Sequence, residues 1–245
     1  MAQPLWQQLA EALRADLVAS PPGSPLPTDE ELARAHSVSK MTAAQAVQHL
    51  AAIGLVTRVK GHGTVTRDLR PITLHTSRHA AAAHGAKAGG PWSIAVTNAG
   101  MTPEVRLLTV VRVAEDDLPD FVAEVFTEEM VRRDRLMFAD GQPAAITTAW
   151  IPWRVAAGTR LADRDMIPQG TYSALREAGY AVNRAVESIR SRHATDAERK
   201  ALRLPKDASA LAVERISFYG DGQAIELLET VADATRVTMQ HSIDL

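Results

Sequence analysis

The stretch Ser20-Pro-Pro-Gly-Ser-Pro-Leu-Pro27 constrains this chain most, because neither a helix nor a central strand can run through it. Each proline fixes φ near about −65° and removes a backbone donor. Any element before the stretch must end there, and any element after it must start afresh. The residues before it are periodic: Leu5, Leu9, Leu13 and Leu17 recur at every fourth residue with Ala10 and Ala12 between, which predicts an amphipathic helix over residues 4–19. The residues after it begin a second helix. Thr28 is a good N-cap and Glu31 stands three residues on, the capping-box spacing. Leu32 and Ala33 then face inward, and this second helix ends near His36.

A short turn leads to a third helix. Ser39 supplies its N-cap oxygen, and Ala43, Val47 and Leu50, with Ala46 and Ala51, form its buried stripe. The opposite side carries Lys40, Met41, Ala44, Gln45 and His49 or Gln48. Gly54 is the expected C-cap. Residues 56–59 and 64–67 alternate as two short strands around Lys60-Gly61-His62-Gly63, a hairpin with a basic, glycine-rich tip. Three helices and then such a hairpin make a winged helix-turn-helix.

Charge agrees with that assignment. The chain as a whole is close to neutral, at −2 over 245 residues, so any nucleic-acid surface must be local. From Leu32 to Arg67 there is no Asp or Glu, while Arg34, Lys40, Arg58, Lys60 and Arg67 supply five cations. A carboxylate in such a segment would repel the phosphate backbone, so an acid-free basic run is what DNA contact requires. Cysteine is absent, which excludes disulfides, thiolate metal sites and a cysteine nucleophile and fits a cytoplasmic location. No run of 18 apolar residues occurs and the N-terminus is amphipathic, so neither a membrane span nor a signal peptide is expected.

The pieces PLWQQLAEALRADL at 4–17, PLPTDEELARAHSVSKMTAAQAVQHL at 25–50 and GLVTRVKGHGTV at 54–65 resemble the DNA-binding domain of the GntR family of bacterial transcriptional regulators. The resemblance implies DNA contact through Thr28, Ser39, Lys40, Met41, Thr42, Gln45 and His49, and through Arg58, Lys60, Gly61, His62 and Gly63 of the hairpin. The start of the third helix would enter the major groove, and glycines at the tip would let backbone approach the duplex closely. Two positions depart from the family: arginine is usual where Lys40 and Ala44 stand. An arginine forks onto guanine O6 and N7, whereas lysine is a point donor and alanine offers nothing polar. The expected operator therefore differs from the family's usual one.

Past residue 68, the division expected between a head (1–68) and a second domain (69–245, with a linker strand at 69–75), strands alternate with short helices. Strands are expected at 105–114, 131–139, 144–151, 182–193, 210–219 and 224–231, and helices at 118–125, 172–178 and 195–202. Asp140-Gly141 and Gly220-Asp-Gly222 are hairpin turn signals. Thr195 and Glu198 repeat the capping-box spacing. Residues 80–90 are low-complexity and predict a loop. His75, His79 and His84 invite a metal reading, but no carboxylate accompanies them, and no metal or other cofactor is expected.

Together with TSR at 76–78, the segments RLMFADGQPAAITTAWIP at 135–152, TYSALREAGY at 171–180 and LAVERISFYGDGQAIELLETV at 211–231 resemble the UTRA effector-sensing domain of the HutC subfamily, which has a chorismate-lyase-like fold. The resemblance implies an α+β, two-domain chain, a small-molecule effector, and a homodimer. It also implies effector contacts from Ser77, Arg78, Arg135, Met137, Thr147, Trp150, Tyr172 and Glu226. Arg135 would pair an anionic group, and Glu226 would accept from hydroxyl or amine groups. Met137 stands where a second arginine is usual, Thr147 where glutamate is frequent, and Gly170 where serine is frequent. These exchanges imply an effector less charged and more apolar than a phosphosugar, unless Met137 and Trp150 point into the core.

Three functions stay open from the sequence. One is an effector-responsive regulator, expected to be a repressor, on a palindromic duplex site. Another is a DNA-binding dimer of plasmid-maintenance or architectural type whose second domain only dimerises. The third is an enzyme of chorismate-lyase-like fold, against which stand the DNA-binding head and the lack of any nucleophile–base pair or metal motif.

Overall fold

A computed structural model describes residues 3–59, 61–75 and 90–241. Lys60, Ser77, Arg78 and most of the low-complexity stretch, with His79 and His84, lie outside the described residues. The chain divides into two compact units, residues 1–70 with 193–209, and 71–192 with 210–245.

In the first unit, α1 (Leu5–Ala19), α2 (Asp29–Ala35) and α3 (Lys40–Ala52) precede a hairpin of β1 (Val56–Val59) and β2 (Gly63–Thr66). Leu9, Leu13 and Leu17 of α1 and Leu32 of α2 pack with Ala43, Ala46, Val47 and Leu50 of α3 and Val56 of β1 in one core. Leu5 belongs to the apolar repeat but is 61% exposed. A four-residue repeat gains about 40° per step on a helix of 3.6 residues per turn, so its first member rotates off the stripe. Both helix starts form as the sequence requires. Thr28 Oγ1 accepts from the Glu31 backbone N–H at 3.3 Å while Glu31 Oε2 accepts from the Thr28 N–H at 2.8 Å, and Ser39 Oγ accepts from the Thr42 N–H at 3.1 Å. The turn between α2 and α3 holds Ser37 at φ 53°, and Gly54 takes φ 80° just past the end of α3. The proline stretch is more than a break: the Gly23 and Leu26 N–H groups donate to Thr66 and Thr64, so it lies along β2 as an irregular third strand.

The second unit is built on a six-stranded sheet of order β4-β5-β6-β9-β8-β7. Its strands are β4 (Pro103–Val113), β5 (Met130–Ala139), β6 (Gln142–Pro152), β7 (Val182–His193), β8 (Ser209–Tyr219) and β9 (Gln223–Asp233). The β4-β5, β5-β6, β6-β9 and β8-β9 pairs are antiparallel. The linker strand is β3 (Ile72–His75), which pairs in parallel with β10 (Val237–Gln240). The expected helix at 118–125 is only one turn, α5 (Asp120–Ala123), behind a 3₁₀ turn at Glu115–Asp117. Two further helices, α4 (Pro91–Asn98) and α6 (Trp153–Ala156), carry no strong periodicity and were not expected; α7 (Thr171–Glu177) and α8 (Asp196–Leu202) were.

Candidate functional site

Two surfaces carry chemistry, one in each unit. On the head, the first turn of α3 presents Lys40 and Met41, the latter 80% exposed, with Gln45 one turn on and Arg58 on β1. The burial of Ala43, Ala46, Val47 and Leu50 turns these side chains to solvent. Gly61 and Gly63 take φ 82° and 78°, values an L side chain rarely adopts, which closes the hairpin tip. Other expected contacts are already engaged within the protein. The Thr28 hydroxyl donates to Glu31 Oε2 at 2.8 Å, and the Ser39 and Thr42 hydroxyls bond each other at 2.8 Å. His49 is half-buried with its ring edge-on to Trp6 at 5.1 Å. Lys40 Nζ donates to Glu30 Oε1 of α2, which holds the carboxyl below its ordinary value and the ammonium above its own. That acid lies two residues outside the acid-free run, and only the fold brings it to the face.

In the second unit a cavity of about 410 Å³ opens over one face of the sheet. Register explains which side chains reach it. Arg135, Thr147, Thr230 and Val213 stand in one row across β5, β6, β9 and β8, and all four line the cavity. Period-two alternation then brings Met137, Leu228, Glu226 and Arg215 to the same face. It also removes Trp150. Three residues beyond Thr147, it faces the other side and packs with Phe126, Met130 and Leu227, so it is a core residue and not a cavity residue. Met137, in contrast, lines the cavity.

The walls are mostly apolar. Met137 of β5, Met166 of a loop and Met239 of β10 contribute thioethers, and Trp92 of α4 closes one side with its indole N–H donating to the Phe138 carbonyl at 3.0 Å. The loop 166–170, Leu74 of β3 and Met239 of β10 complete it. Sequence reasoning missed these residues because they reach the cavity only through the parallel β3-β10 pair and an unpatterned loop. Gly170, at φ 85°, lies in that wall without a side chain.

A chain of polar groups, of which Arg215, Tyr172 and Glu226 line the cavity, runs along this face. Glu187 Oε1 lies 3.2 Å from Arg215 Nε, Arg215 Nη1 donates to the Tyr172 hydroxyl at 3.3 Å, and Tyr172 and Ser217 hydroxyls bond at 2.8 Å. The Ser217 hydroxyl donates to Glu226 Oε2 at 3.0 Å. Burial pushes the Glu226 carboxyl and the Tyr172 phenol up, against the pull of Arg215. Arg135 stands apart from the chain. It is surrounded by protein, its accessible surface is turned to the cavity, and its Nε is buried without an acceptor. Among the described residues it has neither a hydrogen-bond nor an ion-pair partner, and burial lowers its pKa. Thr147 Oγ1 on the same row is likewise buried and unmet. Among the described residues no cluster of three or more His, Cys, Asp or Glu is placed to hold a metal, and no helix is long and apolar enough to cross a membrane.

A winged helix-turn-helix joined in one chain to a domain built around a ligand-sized cavity defines a transcriptional regulator with a sensing domain. The model of bacterial regulatory proteins of the gntR family matches residues 5–65, and that of the UTRA domain matches residues 98–238. The chain belongs to the GntR family and carries a UTRA domain. It is 24% identical to the HTH-type transcriptional repressor NagR of Bacillus subtilis, over 98% of this chain and 95% of that one. It is 28% identical to the HTH-type transcriptional regulator Rv0792c of Mycobacterium tuberculosis, over 92% of this chain and 80% of that one. The crystal structure of PhnF from Mycobacterium smegmatis has the same fold, at TM-score 0.59 and 20% identity, covering 96% of this chain and 99% of that one. These families and relatives are transcriptional regulators, not enzymes.

Proposed function

We propose that this chain is an effector-responsive repressor, acting in the cytoplasm, whose cavity takes a small monoanion with an apolar body. The observation that carries the reading is Arg135: its Nε is buried without an acceptor, it has no hydrogen-bond or ion-pair partner among the described residues, and it faces a cavity of ligand size. Burying an unpaired charge costs several kcal/mol, and an anionic ligand removes that cost. Among the described residues Arg135 is the one cation lining the cavity without a hydrogen-bond or ion-pair partner, which suits a single negative charge. The second cation, Arg215, is already committed to Glu187 and Tyr172, and Glu226 on the opposite wall disfavours a dianion. Glu226 and the unmet Thr147 hydroxyl suit a hydroxyl or amine on the ligand, and the three methionines suit its apolar part. Ser77 remains a proposed contributor to the same site.

Two heads joined through paired second units would bind a palindromic duplex with half-sites about one helical turn apart, α3 lying in the major groove. The repressor sign is supported by the name of the Bacillus relative. The effector would shift operator affinity only by its differential affinity for the two arrangements of the heads.

Thermal-shift and calorimetric screening of the full chain against monocarboxylates and sugar phosphates tests the ligand class. The expected result is stabilisation by amphipathic monocarboxylates that Arg135→Met abolishes; tight binding of a sugar phosphate overturns it. Absence of any shift, with unchanged operator binding, would favour the second reading, a DNA-binding dimer whose second domain only dimerises. For the head, Lys40→Ala should weaken operator binding, and unchanged affinity would remove Lys40 from the DNA contact.

A further inference from the structure

The contact between Glu30 and Lys40 is out of place on a DNA-facing surface. Glu30 lies in the first turn of α2 and Lys40 opens α3, and their side chains remain 65% and 64% exposed while the ammonium donates to the carboxylate. An ion pair this wet contributes little to folding. The packing of α2 on α3 is already supplied by the core that Leu32 shares with Ala43, Ala46, Val47 and Leu50. Glu31 next to it has its carboxylate in the capping box; that of Glu30 serves no backbone group. For phosphate binding it is a liability, since it cancels the charge that Lys40 brings.

We infer that Glu30 and Lys40 act as one reader of a G·C base pair in the major groove, with Lys40 Nζ donating to guanine O6 or N7 and Glu30 accepting from cytosine N4. The inference rests on α3 being the helix that enters the groove. Guanine O6 and cytosine N4 are hydrogen-bonded partners, about 3 Å apart, and the Lys40 ammonium and Glu30 carboxylate are likewise one hydrogen bond apart. A side-by-side donor and acceptor therefore meets a side-by-side acceptor and donor. The G·C edge accommodates both groups without conflict: two adjacent acceptors face the ammonium, and only the N4 amino group faces the carboxylate. On an A·T pair the carboxylate reaching adenine N6 would also meet the N7 acceptor, and the ammonium reaching thymine O4 would meet the methyl group. Glu30 is thus a specificity-determining residue, and the pair restores by two side chains part of what a single forked arginine supplies.

Selection of random duplexes by the full-length chain, with sequencing of the bound pool, tests this directly. The unaltered protein should select a G·C pair at one fixed position of each half-site. Glu30→Gln and Glu30→Ala should lose that preference by roughly tenfold while leaving the other positions as they were. Lys40→Arg should keep the guanine. If Glu30→Ala selects the same motif and merely binds all duplexes more tightly, Glu30 acts only by repulsion and the inference fails. If the unaltered protein enriches no motif at all, the reading of α3 as a DNA reader fails with it.

Discussion

Arg133 and Arg135 lie two residues apart on one face of β5, and they could hardly be treated more differently by the fold. Arg133 donates to the carbonyls of Leu161, Asp163 and Asp165, each at 2.7 Å, and so ties down the loop that continues into the cavity wall at 166–170. Arg135 has no such partner and faces the cavity. The same residue type on the same strand is a structural clamp in one place and an unsatisfied donor in the other. A buried cation whose donors are met by carbonyls stabilises the chain that holds it; one with no partner costs stability, and such a cost signals a ligand.

The contrast breaks most visibly at Arg133. Arg133→Ala should cost about 3–5 kcal/mol, since three charge-assisted bonds go and buried carbonyls are left unmet. It should also weaken ligand binding through the loosened loop; urea denaturation measures the first and calorimetry the second. Arg135→Met should do the reverse in protein without effector and raise stability by about 1–3 kcal/mol, because a desolvated charge with no hydrogen-bonded partner is removed, an effect only partly offset by its attraction to Glu226. A loss of stability at Arg135 would mean both arginines are structural, and the comparison would collapse.

Glu226 sharpens the contrast through pH. Its folded pKa lies above the ordinary value of 4.5, so the unfolded chain releases the proton first and stability falls as pH rises through 4.5 toward the folded value. Glu226→Gln removes this loss. Its stability gain over the unaltered protein should be absent below pH 4.5 and grow above it by up to about 1.4 kcal/mol per pH unit. Denaturation midpoints between pH 4 and 8 measure it, and a flat difference would mean that Glu226 is already satisfied. The smallest effect belongs to the head, where polar groups are wet or capped. Thr28→Ala should cost about 1 kcal/mol through loss of the capping box, read as a small drop in Tm.

The head was almost wholly legible in the sequence. Its helices announce themselves by caps at Thr28 and Ser39 and by apolar periodicity, and both signals act within a few residues. In the second unit the long strands and both hairpin turns were legible for the same reason, whereas Arg135, Met137, Thr147, Tyr172 and Glu226 were named only through the family resemblance, and the fold brings them to one cavity. Trp150 was misplaced because counting along β6 from Thr147 decides its face only once the register is known. The helix at Pro91–Asn98, with Trp92, was missed because its sequence has no clear polar face.

The information held by the sequence alone is therefore local: where helices start, where strands turn, and that an acid-free basic run lies beside a helix start. Tertiary structure decided which groups meet. It brought Glu30 to Lys40, gave Arg133 three carbonyls and Arg135 none, and closed the cavity with a strand from residue 237 onward. Caps and periodicity are set by neighbours a few residues apart, whereas partnership across a sheet depends on register and chain return, which no short stretch encodes.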